Sequence, residues 1–423
     1  RPPDRTLPVD ASNPFFVFDP ATCVLCGICV RTCDEIVGVA AIDFVQRGFD
    51  TTIGSAPDQS WIESDCVSCG ECIVRCPTGA LSFTGFEIPE REVTTTCTYC
   101  GCGCGIHLGV TGDRLVSARG QRENPSNEGH LCVKGRFGFT FVNSPDRLKT
   151  PLIRRNGTLE EATWDEALDL VAEKFSAARG DAFAAIASAK LTNEENYLIQ
   201  KFSRAVMGTN NVDHCARLCH SPSVAGLVQS FGSGAMTSSS KDLGDARCIF
   251  AIGTNTTAAH PIIGLQVMRS IRAGGKLIVV NPRAIELARH ADLFIQNRAG
   301  SDVALLMGMM RVIVDEGLHD AQFIEARCEN FEAFRESLAE YDEATVEEKT
   351  GVPFAQVAEA ARMYAQNSPA AILYAMGITQ HTHGTDNVLA TSNLAMLTGN
   401  VGLPSGGVNP LRGQSNVQGA CDM

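Results

Sequence analysis

No stretch of this 423-residue chain stays apolar for the ~18 residues a membrane span needs, and even 303–314 is interrupted by Arg311. Positive charge is also in short supply. Lys and Arg number 35 against 48 Asp and Glu, and the net charge of −13 leaves no broad basic surface for a nucleic acid. An anionic small substrate needs only local positive charge and is compatible with this balance. Position 1 is Arg rather than Met, and the chain stops just after a glycine-containing stretch. Both ends therefore read as cut from a longer protein, so the want of a signal peptide says little. Hydrophobic content of 44% and charged content of 20% fit a soluble chain of more than one domain.

Cysteine is what the chain has in excess. There are 18, and twelve of them fall between Cys23 and Cys104. Such tight groups bring sulfurs around metal rather than into a secreted disulfide framework, and thiolates kept reduced point to the cytoplasm. Cys23, Cys26, Cys29 and Cys33 have C-x₂-C-x₂-C-x₃-C spacing, and Cys66, Cys69, Cys72 and Cys76 repeat it 43 residues later. This is the ferredoxin run for two 4Fe–4S clusters, in which each fourth cysteine crosses to the other cluster. Cys76 is assigned with Cys23, Cys26 and Cys29, and Cys33 with Cys66, Cys69 and Cys72. Pro77 keeps the proline that follows such a run; Asp34 departs from it. Structural zinc favours two separated pairs and fits less well. Cys97, Cys100 and Cys104, with Cys132 beyond, form a third candidate group in which Cys102 is a fifth thiol for four positions. Here zinc is the stronger rival, and the neighbouring ferredoxin module tilts the choice to a third cluster.

Composition divides the chain into a Pro-rich arm (1–14), a two-cluster module (15–90), a small cysteine domain (91–149) and a region of alternating helix and strand signals (150–423). In that last region a capping box at Thr163-Trp164-Asp165-Glu166 opens a helix with Leu168, Val171, Ala172 and Phe175 inward. A buried strand over 183–187 follows, and Asn193 caps the next helix. Strands are predicted over Cys248–Ile252, 276–281 and 370–376, and helices over 261–273, 302–316 and 387–397. The fold class is α/β, with a doubly wound parallel sheet whose ligands sit in the loops 253–260, 281–283 and 377–384.

From Cys97 onward the chain resembles the molybdopterin oxidoreductase family that includes dimethyl sulfoxide reductase. The pieces are Cys97-Thr98-Tyr99-Cys100-Gly101-Cys102-Gly103-Cys104, Leu131-Cys132-Val133-Lys134-Gly135 and Asn281-Pro282-Arg283. The segments from Asn211 to Pro222, containing Cys219-His220, and from Gly407 to Met423, containing Arg412, are similar to formate dehydrogenase signatures. His220 separates the first from periplasmic nitrate reductases, which usually carry Met there. The ferredoxin module resembles that of NAD-linked formate dehydrogenases and of the large peripheral subunit of respiratory complex I.

The resemblance implies three 4Fe–4S clusters, two molybdopterin guanine dinucleotides and molybdenum or tungsten. Cys219 is implied as the metal ligand and Cys102 as a bystander. It implies that Arg412 lies beside the metal and that Lys134 stands between cluster and pterin. The planar guanidinium of Arg412 suits the two oxygens of formate, and the neighbouring His220 is a candidate to take or relay a proton, with a hydrogen-bonded supporting role as its alternative. Candidate pterin contacts by family position are Gly253, Asn255, Pro282, Arg283, Gly300, Asp302, Gly377, Gln380, Gln414 and Asn416. Taken alone, each glycine also reads as an ordinary turn and Asp302 as a helix N-cap. His381 and His383 share a loop after a strand, where a surface role is equally compatible. Cys215, Cys248, Cys328 and Cys421 read as small buried residues. The implied reaction is formate oxidation to carbon dioxide, with electrons passing to a flavin- and iron–sulfur-containing partner that reduces NAD. A nitrate reductase and a non-catalytic wiring subunit are the competing readings. The family normally adds a further C-terminal domain over the second pterin, which this sequence lacks.

Overall fold

Residues 8–55 and 59–423 are described by the computed structural model. Its centre is a sheet of short apolar strands: β1 (Cys248–Ile252), β2 (Lys276–Val280), β3 (Leu293–Ile295), β4 (Ala370–Tyr374) and β5 (Gly407–Pro410). Successive side chains of a strand point to opposite faces. Cys248, Phe250 and Ile252 of β1 join one core with the helices Asp302–Asp315, Phe354–Gln366 and Gly384–Leu397. Ile249 and Ala251 join the other, with the helix Pro261–Arg272 and the cysteine domain around Cys97–Cys104 and Leu131. Burial on both faces is why these strands are continuous apolar runs, each large side chain contributing about 1.5–3 kcal/mol.

All neighbours in the sheet are parallel, in the order β3-β2-β1-β4-β5. The winding reverses between β1 and β4, where such sheets leave a crevice at the strands' carboxyl ends. Gly253, just after β1, has φ +58°, and its carbonyl accepts from Gly377 N at 3.0 Å. A Cβ on Gly253 would lie 2.8 Å from the Gly377 carbonyl carbon, so glycine is what lets these loops meet.

The predicted central strands are present, β2 and β4 ending one and two residues early. The helix expected to begin at Asn387 starts at Gly384. The edge strands β3 and β5, only three and four residues long, carried too little pattern to read.

The region before β1 departs further from expectation. The capping box forms, with Thr163 Oγ1 accepting from Glu166 N at 3.2 Å, and opens the helix Trp164–Ala177. Leu168, Val171 and Ala172, expected inward, are exposed, and only Phe175 is half-buried, against Phe183 and Phe202. The cause is the small sheet beside it: among the described residues Ala185–Ala187 pairs only with Val212–His214, and Ile186 is 85% exposed rather than buried. Thr192, not Asn193, caps the helix Asn193–Lys201.

In the two-cluster module, Phe16–Phe18 pairs with Leu81–Phe83 and Asp43–Val45 with Thr52–Gly54 over a core containing Trp61 and Ile73. The sequence repeat is a backbone repeat as well. Leu25 and Ser68 have φ +56° and +51°, and each N–H meets the sulfur two residues back at 3.4 Å. Residues 8–14, read as an arm, lie along this module: Asp10 bridges Phe18, and Asn13 Nδ2 donates to Ser68 Oγ at 2.8 Å. Residues 1–7 of that arm lie outside the described residues. Among the described residues, no helix is long and apolar enough to cross a membrane.

Candidate cofactor and active site

Two small cavities sort the eight module cysteines. Cys23, Cys26, Cys29 and Cys76 line one; Cys33, Cys66, Cys69 and Cys72 line the other. Burial pushes the Cys29 thiol up to about 11 and Cys69 to about 12, an environment that disfavours bare thiolates and suits sulfurs sharing their charge with a cluster. Among the described residues, no three His, Cys, Asp or Glu side chains converge on a single-ion position. Thiolates placed around a cavity fit a polynuclear cluster better than one tetrahedral zinc.

Cys97, Cys100 and Cys104 are buried together, with Cys132 half-buried at the start of the helix Val133–Phe137. Cys102, the expected bystander, is buried between Cys100 and Cys104, within hydrogen-bonding reach of both. Lys190, which sequence reading missed, holds this turn from outside, its Nζ donating to Thr98 O at 2.9 Å and Tyr99 O at 2.7 Å.

The loop after β5 brings Arg412 to the same place. Its carbonyl accepts from Gly101 N at 3.0 Å and from His260 Nε2 at 2.7 Å. A Cβ on Gly101 would lie 2.7 Å from that oxygen, so the cluster turn and the Arg412 loop are in backbone contact. The Arg412 guanidinium donates to two neutral acceptors, Gln418 Oε1 and Gly234 O, while its Nε is buried with no partner among the described residues. Cys219 lies nearby on a turn fixed by Thr379 Oγ1, which donates to Cys219 O at 2.6 Å, and by Gln380 Nε2, which donates to Leu218 O at 2.8 Å. Burial raises the Cys219 thiol, Cys215 adds to the rise, and Gly413 N–H and the Arg412 charge oppose it.

His220 is fully buried. Its Nδ1 meets Ser223 Oγ at 2.8 Å and its Nε2 meets Leu411 O at 3.2 Å, while Tyr374 O–H donates to Ser223 at 2.9 Å. Burial above all, then the Arg412 charge, lowers its pKa to about 4. The ring is neutral, Nε2 donating and Nδ1 accepting, and neither nitrogen is open to a substrate. These bonds tie the ring to Ser223 on one side and to the Leu411 backbone on the other.

Nine of the ten predicted pterin contacts fall into three groups. Gly253, Gly377, Gly300 and Asp302 gather at the carboxyl ends of the strands together with the stacked rings of His381 and His383, 5.3 Å apart. Asp302 is not the N-cap; Ser301 is, and Asp302 is buried, with its pKa raised by burial against the pull of His381. Gln380, Gln414 and Asn416 instead tie protein to protein: Gln414 Oε1 accepts from Cys215 Sγ at 2.8 Å and Asn416 Nδ2 donates to Leu191 O at 2.8 Å. Pro282 and Arg283 turn on Asn281, whose Oδ1 accepts from Arg283 N at 3.0 Å. Of the four cysteines read as small buried residues, only Cys248 is buried; Cys215, Cys328 and Cys421 are half-buried.

Asn255 Oδ1, Thr257 Oγ1 and His260 Nδ1, in the loop after β1 and at the start of the next helix, are buried without partners among the described residues. A row of unpaired polar atoms there fits a polar ring cofactor better than a closed core. Lys134 lines a separate cavity of about 410 Å³ between module and sheet domain, which does not reach Cys219 or Arg412.

Fold and site together define a cofactor-binding α/β chain fed by iron–sulfur modules. The chain belongs to the molybdopterin oxidoreductase family, which matches residues 147–423. Residues 90–144 match the Fe4S4 domain of molybdopterin oxidoreductases and 22–80 a 4Fe-4S dicluster domain. The chain is 50% identical over 331 residues to F420-dependent formate dehydrogenase 1 subunit alpha of Methanococcus maripaludis, covering 78% of this chain and 49% of that protein. It is 47% identical to formate dehydrogenase H of Escherichia coli, over 79% of this chain and 48% of that one. Probable oxidoreductase YjgC of Bacillus subtilis is 37% identical over 98% of this chain and 47% of its own length. The chain thus spans about half the length of these relatives. In structure it is similar to acetylene hydratase from Pelobacter acetylenicus, with a TM-score of 0.65 and 25% identity over 73% of this chain and 44% of that one.

Proposed function

We propose that this chain is the core of a formate dehydrogenase catalytic subunit, oxidising formate to carbon dioxide, a proton and two electrons. The observation that carries the reading is the buried, unpartnered Nε of Arg412 near Cys219, on a loop bonded through its backbone to the Cys100–Cys102 turn. Relatives at 45–50% identity named formate dehydrogenase support it. The hydratase likeness is a reminder that this fold alone does not choose a reaction.

Molybdenum or tungsten held by two pterin guanine dinucleotides and Cys219 would supply a two-electron redox centre. Arg412 binds and orients the formate carboxylate by charge-assisted hydrogen bonding. His220 is a positioning residue that holds the Leu411–Arg412 backbone through its Nε2–H. Lys134 stands between pterin and cluster. Cys97, Cys100, Cys104 and Cys132 would hold one 4Fe–4S cluster, and the two cysteine sets of the ferredoxin module two more, which would supply one-electron carriers. The electrons leave to a partner subunit, NAD-linked by the resemblance of the ferredoxin module; three of the relatives are instead named as F420-dependent. A reducing, cytoplasmic setting suits this many thiolates. A wiring subunit without catalysis is disfavoured, because it has no use for Cys219 and Arg412 kept together.

In the full-length complex, Cys219→Ser and Arg412→Lys are expected to lower formate oxidation by about 10²-fold or more while leaving the iron–sulfur spectra unchanged. Near-native turnover in either variant refutes the assignment, and assays with NAD and F420 as acceptors separate the two electron partners.

A further inference from the structure

Glu71 lies inside the second cysteine run, between Cys69 and Cys72, and only 2% of its side chain is exposed. A buried carboxylate costs several kcal/mol unless it is fully bonded, so its partners indicate what it is for. They come chiefly from the neighbouring domain. Leu131 N donates to Glu71 Oε1 at 3.0 Å, Arg136 Nη2 reaches the same oxygen at 2.5 Å, and His130 Nδ1 meets Oε2 at 3.0 Å. Arg75 closes the set from the carboxylate's own side.

Leu131 precedes Cys132 in the chain, and Glu71 precedes Cys72. One hydrogen bond, Leu131 N–H to Glu71 Oε1, therefore links the residue before one cluster ligand to the residue before another. A second bridge runs beside it: Arg136 N donates to Cys132 O at 3.0 Å and Arg136 Nε donates to Cys69 O at 2.7 Å. Gly70 has φ +74°, and a Cβ there would come within 2.6 Å of Arg136 Cδ, so the approach depends on glycine. Both bridges start at Cys132 and end on the Cys33/Cys66/Cys69/Cys72 set, not on the set containing the exposed Cys26.

We propose that Glu71, with Arg136, is the positioning residue that couples the Cys132 cluster to the Cys69/Cys72 cluster. It makes that pair the first step of the outward wire and leaves the Cys26 cluster as the exit. One electron leaves the reduced Cys132 cluster and reduces the oxidised Cys69/Cys72 cluster; no bond or proton moves. The hydrogen-bonded route gives a continuous path of bonded atoms between the two ligand sets. The inference rests on the functional reading above for its direction, while the bridge itself is independent of formate.

The test uses the full-length holoenzyme with native iron content, mixed with formate and frozen at successive times for EPR of each cluster. Glu71→Gln keeps an acceptor for Leu131 N–H and should transfer within about threefold of native. In Glu71→Ala the Cys132 cluster should reduce at the native rate while the Cys69/Cys72 cluster lags by about tenfold or more. Equal native rates in Glu71→Ala overturn the proposal, as does a lag in Glu71→Gln as large as in Glu71→Ala. Where Glu71→Ala does not assemble, Glu71→Asp decides between the same two outcomes, since it keeps the charge but draws the oxygen away from Leu131 N–H. Formate that reduces no cluster in the native protein sinks the functional reading instead. The bridge is then read in the other direction, by pulse reduction of the exposed Cys26 cluster and the same comparison of variants at the inward step.

Discussion

His220 shows how a residue chosen for its chemistry can be committed to architecture. Its two nitrogens close a chain from Tyr374 through Ser223 to the carbonyl of Leu411, the residue before Arg412. A charged ring would lose the bond accepted at Nδ1 and would face the Arg412 guanidinium in a buried site. The folded pKa of about 4 lies below the unfolded value near 6.5. Between those values the unfolded chain takes up a proton that the folded chain refuses, so the stability contributed is full above about 6.5 and falls as pH drops toward 4. At pH 5 the loss is on the order of 2 kcal/mol. A urea midpoint measured at pH 7 and pH 5 should fall accordingly, and His220→Gln should narrow the difference. An unchanged pH dependence in that variant removes His220 as its source. At this scale the sequence was eloquent about cysteine and less so about partners. Each module cavity is lined by three cysteines of one run and one of the other, whereas Glu71, Lys190 and His260 act through residues more than 50 positions away, which no local pattern reveals.

Among the elements, β1, β2 and β4 were legible because burial on both faces leaves an unbroken apolar run bounded by Gly or Asn. The edge strands were not, since three or four residues carry no period. The helix Trp164–Ala177 teaches the converse. Its capping box and apolar spacing were read from local sequence, but spacing states only which residues share a face, not whether anything covers it. With two strands beside it, Leu168, Val171 and Ile186 stay exposed, as do Tyr197, Leu198 and Val206 on the following elements. Exposed apolar surface of this kind binds apolar dyes and promotes association. The 423-residue chain should therefore bind such a dye and self-associate with increasing concentration. Leu168→Lys with Val171→Glu should weaken both, and should shift folding stability by no more than about 0.5 kcal/mol, since the sites are already in water. A loss of several kcal/mol would mean that this face is packed after all.

Across the whole molecule, the three cysteine groups stand in different relations to the packing around them. The sheet domain has extensive cores on both faces. Among the described residues, the apolar core of the two-cluster module is Phe16, Phe18, Ile42, Ile53, Trp61, Ile73, Ala80 and Leu81, and its cysteines pack against these side chains. A region that small rarely holds itself together by apolar burial alone, and metal binding there becomes folding free energy. It is tied to its neighbours by the Glu71 cluster, by Phe15 stacked on Phe137 at 4.5 Å, and by Asp34, which stands where such runs usually carry proline and pairs with Arg272 at 2.9 Å. Of the two charged ties, only the Glu71 contacts are buried enough to resist solvent screening. Removing iron with a chelator under reducing conditions should then make residues 15–90 protease-sensitive first, while the fragment carrying β1 to β5 survives. Glu71→Ala should move that cleavage to lower chelator concentration, and Asp34→Ala should barely move it. Simultaneous loss of both regions on chelation would show that the sheet domain also depends on the clusters, through the Cys97–Cys104 turn packed on its face.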